Sequence, residues 1–196
     1  MTKRLFDICF SLLGLIATSP ILLLISILIE IESKGPVFYM QTRVGKNNQD
    51  FKIFKFRTMY VGSDKKGLLT LGDKDSRVTK IGYYLRKYKL DELPQLINVL
   101  NGSMSFVGPR PEVRKYVGFY TKEDLQILQV KPGVTDYASI AFRDEAELLK
   151  ETKDPEKLYI EEIMPKKIAL NKKYISKPSV FTDVKIILKT ILTIIK

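Results

Sequence analysis

The chain has 196 residues, 45% of them hydrophobic, which is enough for one domain with a real core. Its 33 Lys and Arg against 22 Asp and Glu leave a net charge of +11, a balance that suits phosphates, anionic lipid head groups or nucleic acid. The absence of histidine excludes a His general base, His-bound zinc and Ser-His triads, and the single cysteine excludes an internal disulfide.

In chain order, residues 8–29 carry no charge, with Asp7 and Glu30 as bookends. As a helix this stretch would be about 33 Å long, close to the about 30 Å of a bilayer core. Ser19-Pro20 lies at its centre, where Pro20 cannot donate to the helical ladder and crowds the carbonyl of Ile16; the Thr18 and Ser19 hydroxyls are available to freed backbone groups. Basic residues flank both ends, Lys3 and Arg4 before and Lys34, Arg43 and Lys46 after. The positive-inside rule then favours a kinked, re-entrant helix over residues 1–34 with both ends on the cytoplasmic side; an ordinary kinked transmembrane helix has the same hydropathy. A cleaved signal peptide fits less well, because the apolar run exceeds the usual about 7–15 residues. Cys9 reads as a small packed hydrophobe.

Residues 35–196 read as the globular part of the same single domain. Lys34-Gly35-Pro36 stops the helix, and residues 37–43 and 51–59 predict two strands joined by a turn-rich segment at 45–50. The adjacent apolar pair Ile53-Phe54 shifts the alternation by one and predicts a bulge that would re-aim Lys55 and Arg57. Residues 61–76 read as a polar loop; Gly62-Ser63-Asp64-Lys65-Lys66-Gly67 mimics half a P-loop, but Leu68-Leu69 stand where Lys-Ser/Thr is required. Helices are predicted over 79–88, 91–100 (ended by Asn101-Gly102), 112–120 and 122–130. Another is predicted over 145–174, with a break near Asp154-Pro155 and a kink or boundary at Pro165. From residue 183 to 196, Lys185, Lys189, Thr193 and Lys196 form one polar stripe opposite Val184, Ile187, Leu188, Ile191, Leu192 and Ile195. Such an amphipathic helix packs on a core or lies in a lipid interface. The fold class expected is α+β and mainly helical: a membrane helix, a short β-hairpin and interfacial amphipathic helices around a compact cytoplasmic part.

The chemistry concentrates in two motifs. Asp91 and Glu92 are adjacent in Leu90-Asp91-Glu92-Leu93-Pro94-Gln95, and Phe106-Val107-Gly108-Pro109-Arg110-Pro111 begins 14 residues after Glu92. Two neighbouring carboxylates resist joint ionisation unless a cation lies between them, and hard oxygens plus substrate phosphates suit Mg²⁺. An N-cap Asp followed by a first-turn Glu would produce the same dipeptide. The two prolines hold the Arg110 backbone extended, pre-setting a guanidinium for bidentate phosphate binding. Lys55, Arg57, Arg86 and Arg143 supply further cations.

These motifs resemble the small monotopic bacterial sugar transferases, the polyprenol-phosphate phosphoglycosyl transferases. The resemblance runs through Lys3-Arg4-Leu5-Phe6-Asp7, Ser19-Pro20, Phe54-Lys55-Phe56-Arg57-Thr58-Met59, the Asp91-Glu92 run, Met104-Ser105 with the Pro-Arg-Pro run, and Lys131-Pro132-Gly133-Val134-Thr135. It implies transfer of a sugar 1-phosphate from a UDP-sugar to a polyprenol phosphate such as undecaprenyl phosphate. The resemblance likewise implies release of UMP and a place as the first membrane step of glycan (capsule or exopolysaccharide) assembly. It further implies Asp91 as the nucleophile of a covalent phosphosugar intermediate and Glu92 as support for a Mg²⁺ site shared with Asp91. By the resemblance Lys55, Arg86, Arg110 and Arg143 stand where the family places phosphate-binding cations, to which the residue reading adds Arg57; the implied setting is the cytoplasmic face of a bacterial inner membrane, and a homo-oligomer is compatible with it. Many members carry Gly-Trp and Gln-x-Asn-Gly where this chain has Asp136-Tyr137-Ala138-Ser139-Ile140-Ala141-Phe142, a departure that bears on sugar or nucleotide preference more than on the reaction. The rival expectation is a membrane-anchored basic module that binds anionic lipid or nucleic acid without catalysis. No nucleic-acid motif supports it.

Overall fold

The computed structural model describes residues 2–63 and 75–195. The half P-loop mimic and most of the 61–76 loop lie outside the described residues.

Helix α1 (Thr2–Glu32) runs unbroken through Pro20. The carbonyl that Pro20 leaves without a helical donor, that of Ile16, accepts a hydrogen bond from Ser19 Oγ at 2.8 Å, and Thr18 Oγ1 bonds Gly14 O at 2.7 Å. The Ser19 hydroxyl therefore satisfies the backbone group that Pro20 frees. Among the described residues α1 is the one helix long and apolar enough to cross a membrane. Its middle exposes Leu13, Ile16, Leu23 and Leu24, whereas both ends are tied to the rest of the fold. At the N-terminal end Arg4 donates to the carbonyls of Val99 and Leu100, and buried Asp7 accepts from Ser105 Oγ and Phe106 N. At the other end Ile25 and Ile29 pack with Phe56 and Leu85, and Glu32 accepts from Ile81 N.

Strands β1 (Phe38–Val44) and β2 (Asp50–Phe56) form an antiparallel hairpin in unbroken register from Phe38↔Phe56 to Val44↔Asp50. The expected bulge at Ile53-Phe54 is absent. Both faces of β2 are covered instead: Ile53 packs with Val99 and Met104, while Phe56 joins the α1 cluster. Two apolar neighbours then need no register slip.

Helix α2 (Lys80–Lys87) is capped by Thr79, whose Oγ1 accepts from Gly82 N at 2.9 Å. The helix expected over 91–100 is divided. Residues Leu90–Glu92 form a 3₁₀ turn entered through Lys89 in the left-handed region, and α3 (Gln95–Asn101) begins only after Pro94. Gly102, at φ 89°, ends α3 as expected.

A second pair of strands, β3 (Ser105–Val107) and β4 (Gly133–Thr135), is parallel. Between them the expected helices shrink to α4 (Arg114–Val117) and a 3₁₀ stretch, Asp124–Gln129. Helix α5 (Tyr137–Ala141), which the sequence reading missed, is capped by Asp136. Helices α6 (Glu145–Lys150) and α7 (Pro155–Leu158) are separated at the expected break. A π-helical turn over Tyr159–Ile163 leads into α8 (Met164–Ile175), so Pro165 falls in the first turn of α8, at the boundary expected there, where its missing N–H is tolerated. Helix α9 (Val180–Ile195) turns Asp183 and Ile186 inward and leaves Phe181, Val184, Leu188, Ile191 and Leu192 exposed beside Lys185 and Lys189.

Candidate active site

The 3₁₀ turn directs its two carboxylates differently. Glu92 meets Lys55 of β2, with Nζ to Oε1 at 2.8 Å, and Arg110, with Nη2 to Oε1 at 2.5 Å and Nη1 to Oε2 at 3.4 Å. Burial alone would raise the Glu92 carboxyl, but Arg110 and Lys55 overcome it and hold it well below the usual carboxylate range. Glu92 in turn raises the Arg110 guanidinium. Lys55 is lowered by burial, with Glu92 opposing and Arg110 adding to the shift.

Asp91 is also buried, yet its Oδ1 has no hydrogen-bond partner among the described residues. Burial pushes this carboxyl up, Lys55 opposes, and neighbouring Glu92 pushes it further. A buried carboxyl oxygen without a partner is costly, and a proton, a cation or a hydrogen-bond donor would relieve it.

Arg110 is placed by backbone as much as by side chain. Gly108 N donates to Thr135 O, and Gly133 N donates to Pro109 O, each at 3.1 Å. The two glycines pass so closely that a Cβ on Gly133 would lie 2.1 Å from Gly108 N. Just beyond, Arg110 N donates to Asp136 Oδ2 at 3.0 Å. Asp136 therefore has a positioning role the sequence reading missed; its place after the Pro-Gly-Val-Thr run was the only signal.

Two cavities flank the carboxylate pair. The larger, of about 480 Å³, is lined by Glu92, Lys55, Arg86, Arg110 and Arg143. The second, of about 330 Å³, is lined by Asp91, Lys55, Arg86 and Arg57, together with Phe38 and Tyr60 near the end of α1. Lys55 and Arg86 thus border both. Two of the expected phosphate-binding cations are held by backbone carbonyls. Arg57 is buried and donates to the carbonyls of Ile29, Ser33 and Lys34, closing the C-terminal end of α1. Arg143 donates to Thr193 O of α9 while lining the larger cavity.

No cluster of three or more His, Cys, Asp or Glu side chains able to hold a metal occurs among the described residues. Asp91 and Glu92 differ as donors: Asp91 offers an unpaired oxygen, and Glu92 is engaged by two cations. One carboxylate completed by substrate phosphates is a donor set compatible with Mg²⁺.

A sequence profile described as bacterial sugar transferase matches residues 1–196. The chain belongs to this family. It is 38% identical over 196 residues to a UDP-N-acetylgalactosamine-undecaprenyl-phosphate N-acetylgalactosaminephosphotransferase of Aeromonas hydrophila, covering 98% of this chain and 43% of that protein. It is 37% identical to a UDP-glucose:undecaprenyl-phosphate glucose-1-phosphate transferase of Escherichia coli K12, covering 97% and 39%. The sugar transferase EpsL of Bacillus subtilis, whose function is uncharacterized, is 38% identical, with 96% of this chain and 85% of EpsL covered. The chain spans less than half the length of the first two relatives.

Proposed function

We propose that the protein transfers a sugar 1-phosphate from a UDP-sugar to a polyprenol phosphate, undecaprenyl phosphate by analogy with the relatives, in two displacements on Asp91. The observation that carries this reading is the unpaired, buried Asp91 oxygen beside Lys55 and next to the Glu92–Arg110 pair. In the first displacement an Asp91 oxygen attacks the β-phosphorus, the bond from that phosphorus to the bridging oxygen breaks, and UMP leaves with the oxygen. In the second, an oxygen of the polyprenol phosphate attacks the same phosphorus, the aspartyl–phosphorus bond breaks, and the Asp91 carboxylate is restored. Lys55 and Arg110 neutralise phosphate oxygens that would otherwise repel a carboxylate nucleophile, and Glu92 fixes both cations before substrate arrives. Mg²⁺ held by Asp91 and the diphosphate, with Glu92 adjacent, would supply further neutralisation.

The setting proposed is the cytoplasmic face of a bacterial inner membrane. Both ends of α1 pack on one globular body while its middle is apolar and exposed, which supports a re-entrant helix rather than a span. The exposed apolar stripe of α9 beside Lys185 and Lys189 supports contact with the lipid interface.

Incubation with a UDP-sugar carrying a labelled β-phosphate, Mg²⁺ and no lipid acceptor tests the chemistry. Labelled protein should accumulate with one equivalent of UMP and discharge when undecaprenyl phosphate is added. Label retained by Asp91→Asn would remove Asp91 as nucleophile, and lipid-dependent turnover without any labelled protein would favour direct transfer.

A further inference from the structure

The larger cavity has a second polar pole, away from the carboxylate pair. Lys167 Nζ of α8 lies 3.0 Å from Glu145 Oε2, 3.4 Å from the Tyr159 hydroxyl and 3.7 Å from Glu112 Oε1. The Tyr159 hydroxyl donates to Glu112 Oε1, and Arg43 Nη1 lies 3.7 Å from Glu112 Oε2. All five side chains line the cavity that Glu92, Lys55 and Arg110 also line.

The two poles differ in charge. Around Glu92 the cations Lys55, Arg86 and Arg110 are in excess, as phosphate oxygens require. At the second pole Glu112 and Glu145 balance Arg43 and Lys167, and a phenol hydroxyl is added. A neutral cluster rich in acceptors suits a neutral ligand rich in hydroxyls and is a poor place for a phosphate. Glu145 is the most accessible of the cluster's acids, its side chain 25% exposed against 11% for Glu112. Tyr159 opens the π-helical turn, a local widening that is frequent at functional sites and unfavourable elsewhere. The poles are contiguous: Arg43, lowered by burial, is influenced by both Glu112 and Glu92. Helix α5, where the chain departs from the family pattern, lines the same cavity with Ala138, Ser139 and Phe142.

We propose that this second pole is the subsite for the sugar of the nucleotide donor. Glu145 accepts hydrogen bonds from sugar hydroxyls, and Lys167, Tyr159 and Glu112 position it. The assignment rests on the transfer reaction proposed above. A cavity of about 480 Å³ falls in the range of about 300–1,000 Å³ usual for small-molecule sites, large enough for both ends of one ligand.

The test compares UMP release from UDP-glucose, UDP-galactose, UDP-N-acetylglucosamine and UDP-N-acetylgalactosamine by the unsubstituted protein, Glu145→Gln, Glu145→Asp and Lys167→Met. Inhibition by UDP, which carries no sugar, is measured alongside. In Glu145→Gln the kcat/KM ratio between the best and second-best sugar should shift by about tenfold, with partial recovery in Glu145→Asp. Lys167→Met should shift the ratio in the same direction, and UDP inhibition should stay within about twofold throughout. Equal losses for every sugar, or parallel weakening of UDP, would overturn the subsite while leaving the reaction in place. If the unsubstituted protein releases UMP from no nucleotide sugar, the reaction itself fails and the subsite with it. Should one variant give no cooperative melt, the other two carry the same pair of readings.

Discussion

Asp91 and Glu92 are chain neighbours with opposite electrostatic fates, and stability should report the difference. Asp91 is raised in the folded protein, so its contribution is fully present below the ordinary aspartate value of about 3.9 and is lost as pH rises through the folded value. Asp91→Asn should therefore abolish phosphosugar labelling and yet raise the melting temperature near pH 7. The gain should be about 2–4 °C for a domain of this size, shrinking as pH falls toward 4. Glu92 is depressed, so its contribution is present above the ordinary value and lost as pH falls through the folded one. Glu92→Gln leaves Lys55 and Arg110 without their shared carboxylate and should cost about 2–3 kcal/mol at pH 7 by denaturant titration. That is less than for a fully buried pair, because the Arg110 side chain remains 34% exposed. The adjacency and the excess of cations were legible in the sequence. Which carboxylate would be paired was not, because it depends on Lys55 and Arg110 arriving from 37 and 18 residues away.

Among the elements, the β3–β4 crossing governs the arginine. Gly108 and Gly133 pass backbone to backbone, and a Gly133 Cβ would meet Gly108 N rather than a side chain able to move aside. Gly133→Ala should cost about 1–3 kcal/mol of stability and reduce UMP release by displacing Arg110, measured as loss of kcat/KM alongside a melting curve. The hairpin, the helix after Thr79, the Gly102 stop and the break before Pro155 all follow local chemistry and were readable from residue order. Elements decided by long-range packing were not readable. The 3₁₀ turn at Leu90–Glu92 was read as the start of one longer helix, and the two helices expected between Glu112 and Val130 shrank to short turns. Helical periodicity over short segments does not distinguish a full helix from a turn held by its neighbours.

At the scale of the whole molecule, α1 is the element whose setting matters most. Cys9 is exposed on α1 rather than packed as expected; with it replaced by serine, single cysteines placed at Thr2 and Lys34 should both react with an impermeant thiol reagent from the cytoplasmic face of inverted vesicles. Labelling of the two positions from opposite faces would establish a span and overturn the re-entrant reading. Residue order alone determined that a long helix with an uncharged middle exists, that His chemistry is excluded, and that a carboxylate pair and a proline-clamped arginine are available. Those properties are local in the chain: side-chain type, hydropathy and φ restriction. Only the tertiary structure decided that Arg57 caps α1, that Asp136 holds the Arg110 backbone, and that Glu112, Glu145, Tyr159 and Lys167 meet in one cavity. Each of those joins groups more than about 20 residues apart or depends on burial, and a charge's partner and solvation are set by what the fold brings beside it.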